Sequence, residues 1–190
     1  MKKEGGNFWS LGKKNLASIF DRIVIQGVRE GKIPARTQDA RNWFRDTAQK
    51  IRAVNERSLM KNEKDRLVSQ PIVGSMYMFY YDPKYAAELP YYDRFPLVFP
   101  YKKVEGGFYG LNLHYLPLQY RAKLMDGLYS FANNTRYDES TKLKMSYQLL
   151  SNAAKLRFFE PCLKRYLIDH VGSKFMYVYP SEWDIALFLP

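Results

Sequence analysis

The residues of this chain best suited to nucleophilic, acid–base or metal chemistry are few: two histidines, one cysteine and a scatter of carboxylates among 190 residues. His114 stands between Leu113 and Tyr115 in a stretch read as a strand, so its side chain faces away from theirs. That setting suits a hydrogen-bonded structural histidine better than a general base. Cys162 and His170 fall on one predicted helix, eight residues apart. At about 1.5 Å per residue they stand roughly 12 Å apart, beyond the reach of a thiolate–imidazole couple. Cys162, beside Phe158, Phe159 and Pro161, reads as a small core residue. A zinc site needs three or four closely spaced ligands, and the sequence has no such cluster. Gly106, Gly107 and Gly110 are not followed by Lys-Ser/Thr and do not make a phosphate loop. Asp82 and Asp138 stand where a turn or a helix cap favours an acid. Asp93 and Arg94 interrupt an aromatic run and are read as an ion pair fixing that loop. The residues therefore supply no catalytic set, no metal ligands and no cofactor motif. Only His114, Asp93 and Arg94 offer a nucleus for a small-barrel nuclease.

The other available chemistry is electrostatic and aromatic. Arg41, Arg45 and Arg52 form a stripe on one predicted helix, with Lys50 and Arg57 beyond it and Lys13 and Lys14 in the preceding arm. Such a face can track a phosphate backbone without reading sequence. Asp39, Asp46 and Glu56 dilute it, as on an ordinary solvated face. The band from Tyr77 to Tyr120 is rich in rings but poor in cations, so it reads as core and protein interface rather than as a stacking platform. Phe8 and Trp9 in the arm, and Tyr91, Tyr92 and Phe95 in the loop, are the expected subunit contacts.

These groups need elements to position them. Leu16, Ile19, Phe20, Ile23 and Val24 follow helical spacing and predict a helix over about 16–28, with Gly31 as its stop. A second helix opens after Pro34 with Thr37 as N-cap, and Ala40, Trp43, Phe44, Thr47, Ile51 and Val54 share one face. Residues 55–70 read as a charged connector. Strands are predicted over 75–81, at Leu97–Phe99 on an edge between prolines, over 108–115 and over 174–179. Residues 104–107 form the hairpin turn. Three helices are expected between the third and last strands: one from Pro117 to Ala132, one starting at Asp138 with Leu143, Tyr147, Leu150 and Ala154 on its core face, and one from Pro161 to Val171. The predicted fold is α+β: a basic N-terminal helical arm, then a small antiparallel, SH3-like β-barrel with a three-helix insertion.

Composition divides in the same place. Residues 1–70 hold sixteen Lys or Arg against eight Asp or Glu, a balance of +8. Residues 71–190 hold fourteen against eleven, or +3, and contain every one of the sixteen tyrosines. The expected parts are a basic arm, 1–70, and an aromatic domain, 71–190. The net charge of +11 favours a polyanionic partner. One cysteine excludes an internal disulfide framework. No segment approaches the ~18 apolar residues of a membrane span, and the N-terminus lacks the apolar core of a signal peptide. A soluble, non-secreted protein without membrane contact is expected.

From Ser75 onward the chain resembles small structural and DNA-packaging-associated proteins of T4-like contractile-tailed bacteriophages. The resemblance rests on Met76-Tyr-Met-Phe-Tyr-Tyr-Asp-Pro83, Leu89-Pro-Tyr-Tyr-Asp-Arg-Phe-Pro-Leu97 and Gly110-Leu-Asn-Leu-His-Tyr-Leu-Pro117. It continues through Tyr137-Asp-Glu-Ser-Thr-Lys-Leu-Lys-Met-Ser-Tyr147 and Glu182-Trp-Asp-Ile-Ala-Leu-Phe-Leu-Pro190. It implies a virion component assembled in the host cytoplasm, of a kind sometimes labelled a DNA end protector, and it carries over no catalytic residue. The expected function is a non-enzymatic virion protein contacting genomic double-stranded DNA at its ends or in the neck or tail, with other phage structural proteins as partners. A baseplate or tail-hub subunit without DNA contact is the alternative, and the small-barrel nuclease a minor one.

Overall fold

The computed structural model describes residues 63–183 without 117 and 133, together with 29–31, 57, 60 and 61. The 1–14 arm, both predicted N-terminal helices and the 184–190 tail lie outside the described residues. Gly31 sits in a turn at φ +65°, the left-handed conformation of a helix stop.

Six antiparallel strands form one sheet: β1 (Leu67–Val68), β2 (Met76–Met78), β3 (Leu97–Val104), β4 (Gly107–Asn112), β5 (Leu163–Leu167) and β6 (Phe175–Val178). Their order is β1-β6-β2-β3-β4-β5. Helices α1 (Leu118–Ala132) and α2 (Glu139–Ala153) lie between β4 and β5. The fold is α+β, as the pattern of elements predicts.

Residues alternate between two cores, following the two-residue period of a strand. Met76, Met78, Leu97, Phe99, Leu111 and Met176 face Leu124, Met125 and Leu128 of α1 and Leu150 of α2. Tyr77, Phe79, Val98, Phe108, Tyr166 and Phe175 form a second cluster on the opposite face. There the rings of Phe108 and Phe175 lie 6.0 Å apart, although two strands separate β4 from β6. In a flat sheet the spacing would be roughly 14 Å, so the sheet curls around this aromatic cluster.

The curl does not close into the expected barrel. β5 and β6 do not pair with each other. The 3-10 turn Ile168–His170 carries the chain from β5 across the gap, and a single Tyr81–Val171 bridge with Gly172 N–H donating to Tyr80 O (2.8 Å) spans it.

The third predicted helix is also absent. Residues 157–162 form a 3-10 turn containing Pro161, and the chain then enters β5. β5 pairs along its whole length with β4, and Tyr166 enters the aromatic cluster. Tertiary pairing overrides a weak local pattern there. The insertion thus consists of two helices and a 3-10 turn.

Leu97–Phe99 is not an edge. It begins an eight-residue central strand paired on both sides. Pro100 is tolerated because the register shifts between Pro100 and Lys102, leaving Tyr101 as an unpaired bulge residue. The hairpin turn falls at residues 105–106, with Gly106 at φ +67°. At Gly107 a Cβ would come within 2.0 Å of the Tyr166 carbonyl oxygen, so only glycine lets β4 approach β5 there.

α2 starts as predicted: the Asp138 carboxylate accepts from Thr141 N–H at 2.6 Å. Its core face differs from the prediction. Ser146, Leu150 and Ala153 are buried, whereas Leu143 and Tyr147 are 37% and 42% exposed. The predicted connector also enters the fold before residue 70. β1 pairs with β6, and buried Arg66 makes a bidentate pair with Glu182 (2.5 and 3.0 Å) and a second ion pair with Glu63 (2.9 Å). Burial opposes the Arg66 charge, but Glu182 and Glu63 outweigh it and raise its pKa.

Candidate nucleic-acid interface

Of the predicted phosphate contacts, Lys13, Lys14, Arg41, Arg45, Lys50 and Arg52 lie outside the described residues, as do Phe8 and Trp9. Arg57 is helical and exposed. The predicted loop contacts divide. Tyr91 is 70% exposed, and Tyr92 is half-buried with its hydroxyl donating to Asp82 (3.3 Å). Phe95 is buried against Tyr80 (4.9 Å between ring centroids) and belongs to the core beneath the loop.

Asp93 does not pair with Arg94, which is exposed. Instead Asp93 accepts from His114 Nδ1 (2.7 Å), Asn112 Nδ2 (3.0 Å) and the Phe95 amide (3.1 Å). Burial pushes its carboxyl up, but these hydrogen bonds and the His114 charge bring it below its ordinary value. Asn112 Nδ2 also donates to the Tyr166 hydroxyl (3.1 Å), while its carbonyl oxygen caps His114 N–H (2.9 Å). His114 lies in the 3-10 turn Leu113–Tyr115, not in the strand. Facing a carboxylate, its Nδ1 carries the proton, and its Nε2 is buried with no hydrogen-bond partner among the described residues. A general base must reach solvent or substrate with that nitrogen, so the arrangement clamps the aromatic loop onto the end of β4 rather than presenting a base. Arg121 supports the clamp from α1, donating to the Leu116 and His114 carbonyls (2.6 and 2.9 Å).

Cys162 is a buried core residue, as expected, and burial raises its thiol pKa. Cys162 and His170 do not share a helix: Cys162 ends a 3-10 turn, β5 follows, and His170 closes the next 3-10 turn. His170 Nδ1 donates to the Asp82 carbonyl (2.9 Å), tying the seam of the sheet. Among the described residues no group of three or more His, Cys, Asp or Glu is placed to hold a metal ion, and no helix is long and apolar enough to cross a membrane.

A different surface draws attention. The β3–β4 hairpin and the C-terminal half of α2 enclose an open groove of about 520 Å³, lined by Tyr101, Lys102, Tyr109, Tyr147, Ser151 and Lys155. The bulge at Tyr101 brings Tyr101 and Lys102 together opposite Tyr109. The Tyr101 and Tyr109 rings lie 6.3 Å apart, tilted by 34°. Burial, with Tyr109 nearby, raises the Tyr101 hydroxyl pKa and keeps it neutral. Ser151 Oγ is buried without a hydrogen-bond partner among the described residues. No carboxylate is among the described residues that line the groove. Sequence reasoning assigned the aromatic band to core and protein contacts and missed this grouping. Its only local signal is Pro100 interrupting a strand just before Tyr-Lys-Lys.

No curated protein and no solved structure matches the chain. A family model described as phage T4 terminal DNA protecting protein matches residues 13–190, well beyond the motifs that carried the resemblance and into the basic N-terminal part. The chain therefore belongs to the phage T4 terminal DNA protecting protein family.

Proposed function

We propose that this chain is a non-enzymatic virion component that occupies the ends of linear double-stranded DNA and shields them from exonucleases. Its membership of a family described as terminal DNA protecting carries the reading. The charge is consistent with it: +11 overall, with sixteen of the thirty Lys and Arg in the first seventy residues. Arg41, Arg45 and Arg52, with Lys50, Arg57, Lys13 and Lys14, are the proposed phosphate contacts, independent of base sequence. Tyr91 and Tyr92, together with Phe8 and Trp9, are the proposed contacts to neighbouring phage structural proteins. Protection needs occupancy rather than turnover, and the best-placed acid–base candidate, His114, has its outer nitrogen shut away.

Binding to linear duplex DNA, titrated over a salt series, tests the electrostatic part. The affinity should fall steeply with salt. Replacing Arg41, Arg45 and Arg52 together with Glu should abolish protection at moderate salt and flatten the log–log salt slope by about 3. An unchanged slope in that variant would remove the basic helix from the interface.

A further inference from the structure

We infer that the groove between the β3–β4 hairpin and α2 receives the base of an unpaired terminal nucleotide of the DNA, stacked on its tyrosine rings, with Lys102 and Lys155 on the flanking phosphates. The inference rests on the end-protection reading above and adds a subsite to it.

Three observations converge. The groove offers three tyrosine rings, and ring faces accept any base. Two lysines and no carboxylate line it among the described residues, a charge pattern complementary to a nucleotide backbone. Its volume of about 520 Å³ lies in the range of small-molecule sites. Such a groove also discriminates by position. Within a duplex both faces of a base are stacked and its pairing edge is occupied. Unstacking is easiest where a base is already unpaired, and fraying at a terminus supplies such a base. A concave aromatic site would therefore select ends without selecting sequence.

The test uses the full chain and a linear duplex carrying 2-aminopurine either at the terminal nucleotide or at an internal one. Stacking on the rings should change the fluorescence of the terminal probe saturably and leave the internal probe unaffected. Tyr147 is 42% exposed, so Tyr147→Ala should keep the fold, as a matching thermal melt would establish. That variant should bind ends about tenfold more weakly. Lys155→Glu should weaken binding mainly at low salt. If the wild type protects linear DNA but the terminal probe does not respond and both variants protect equally well, the groove is not the subsite and the end-protection reading stands alone. If the wild type gives no protection, that reading fails and the groove assignment falls with it.

Discussion

Tyr77 and Tyr166 lie inside the curl of the sheet, 1% and 3% exposed, whereas Tyr101, Tyr109 and Tyr147 line an open groove on its helix-covered side. The inner pair have their hydroxyls committed. The Tyr77 oxygen accepts from the Ile72 amide (3.0 Å), and the Tyr166 oxygen from Asn112 (3.1 Å). Burial accordingly drives the Tyr166 pKa well up. The outer set keeps ring surface exposed beside lysines. The same residue type thus serves two purposes, and what separates them is the strand register. Inward positions of β2 and β5 feed the aromatic cluster, while a one-residue bulge after Pro100 gathers Tyr101 and Lys102 opposite Tyr109.

The difference is sharpest in stability. Phe79, at the centre of the inner cluster, has its ring within 4.9–6.3 Å of Phe175, Tyr166, Phe108 and Tyr81. Phe79→Ala should cost about 3–5 kcal/mol and lower the melting temperature by many degrees. In the outer set, Tyr147→Ala should change stability by about 0.5 kcal/mol or less. Paired thermal melts check both, and comparable losses would erase the distinction between core and groove tyrosines.

The clamp that joins the aromatic loop to the inner cluster should give a smaller, pH-dependent effect. Because the folded-state pKa of Asp93 is depressed, its contribution is fully present above the unfolded carboxylate value, about 3.9, and is lost as pH falls through the folded value. Asp93→Asn should therefore lose about 1–3 kcal/mol at neutral pH and show a shallower loss of stability in acid than the wild type. Urea unfolding over the acid range measures this. Equal acid slopes in the two proteins would remove Asp93 from the clamp.

Local signals made part of this organisation legible in the sequence. Asp138 announced α2 because a carboxylate three residues before the Thr141 amide satisfies an otherwise orphaned donor. The Gly pair at 106–107 announced the hairpin, and continuous runs of β-prone residues announced β2 and β6. Elements specified by distant partners were not legible. Leu163–Leu167 has no clean alternation of its own and becomes a strand through pairing with β4. Asp93 meets His114, twenty-one positions away, instead of its neighbour Arg94. Leu143 and Tyr147 fit the helical period, but α2 buries Ser146 and Ala153 beside the predicted Leu150. The groove was hidden because it joins a bulge to the far end of a helix, and periodicity registers neither.

End recognition is the central claim, and competition tests it most directly. Linear duplex DNA is digested by an exonuclease in the presence of the full chain, with excess nuclease-inert DNA added either as linear molecules or as covalently closed circles. The account predicts that linear competitor releases the substrate to the nuclease, while circles of equal mass leave it protected. Equal competition by the circles would show a general duplex-coating protein and contradict the assignment of this chain to DNA ends.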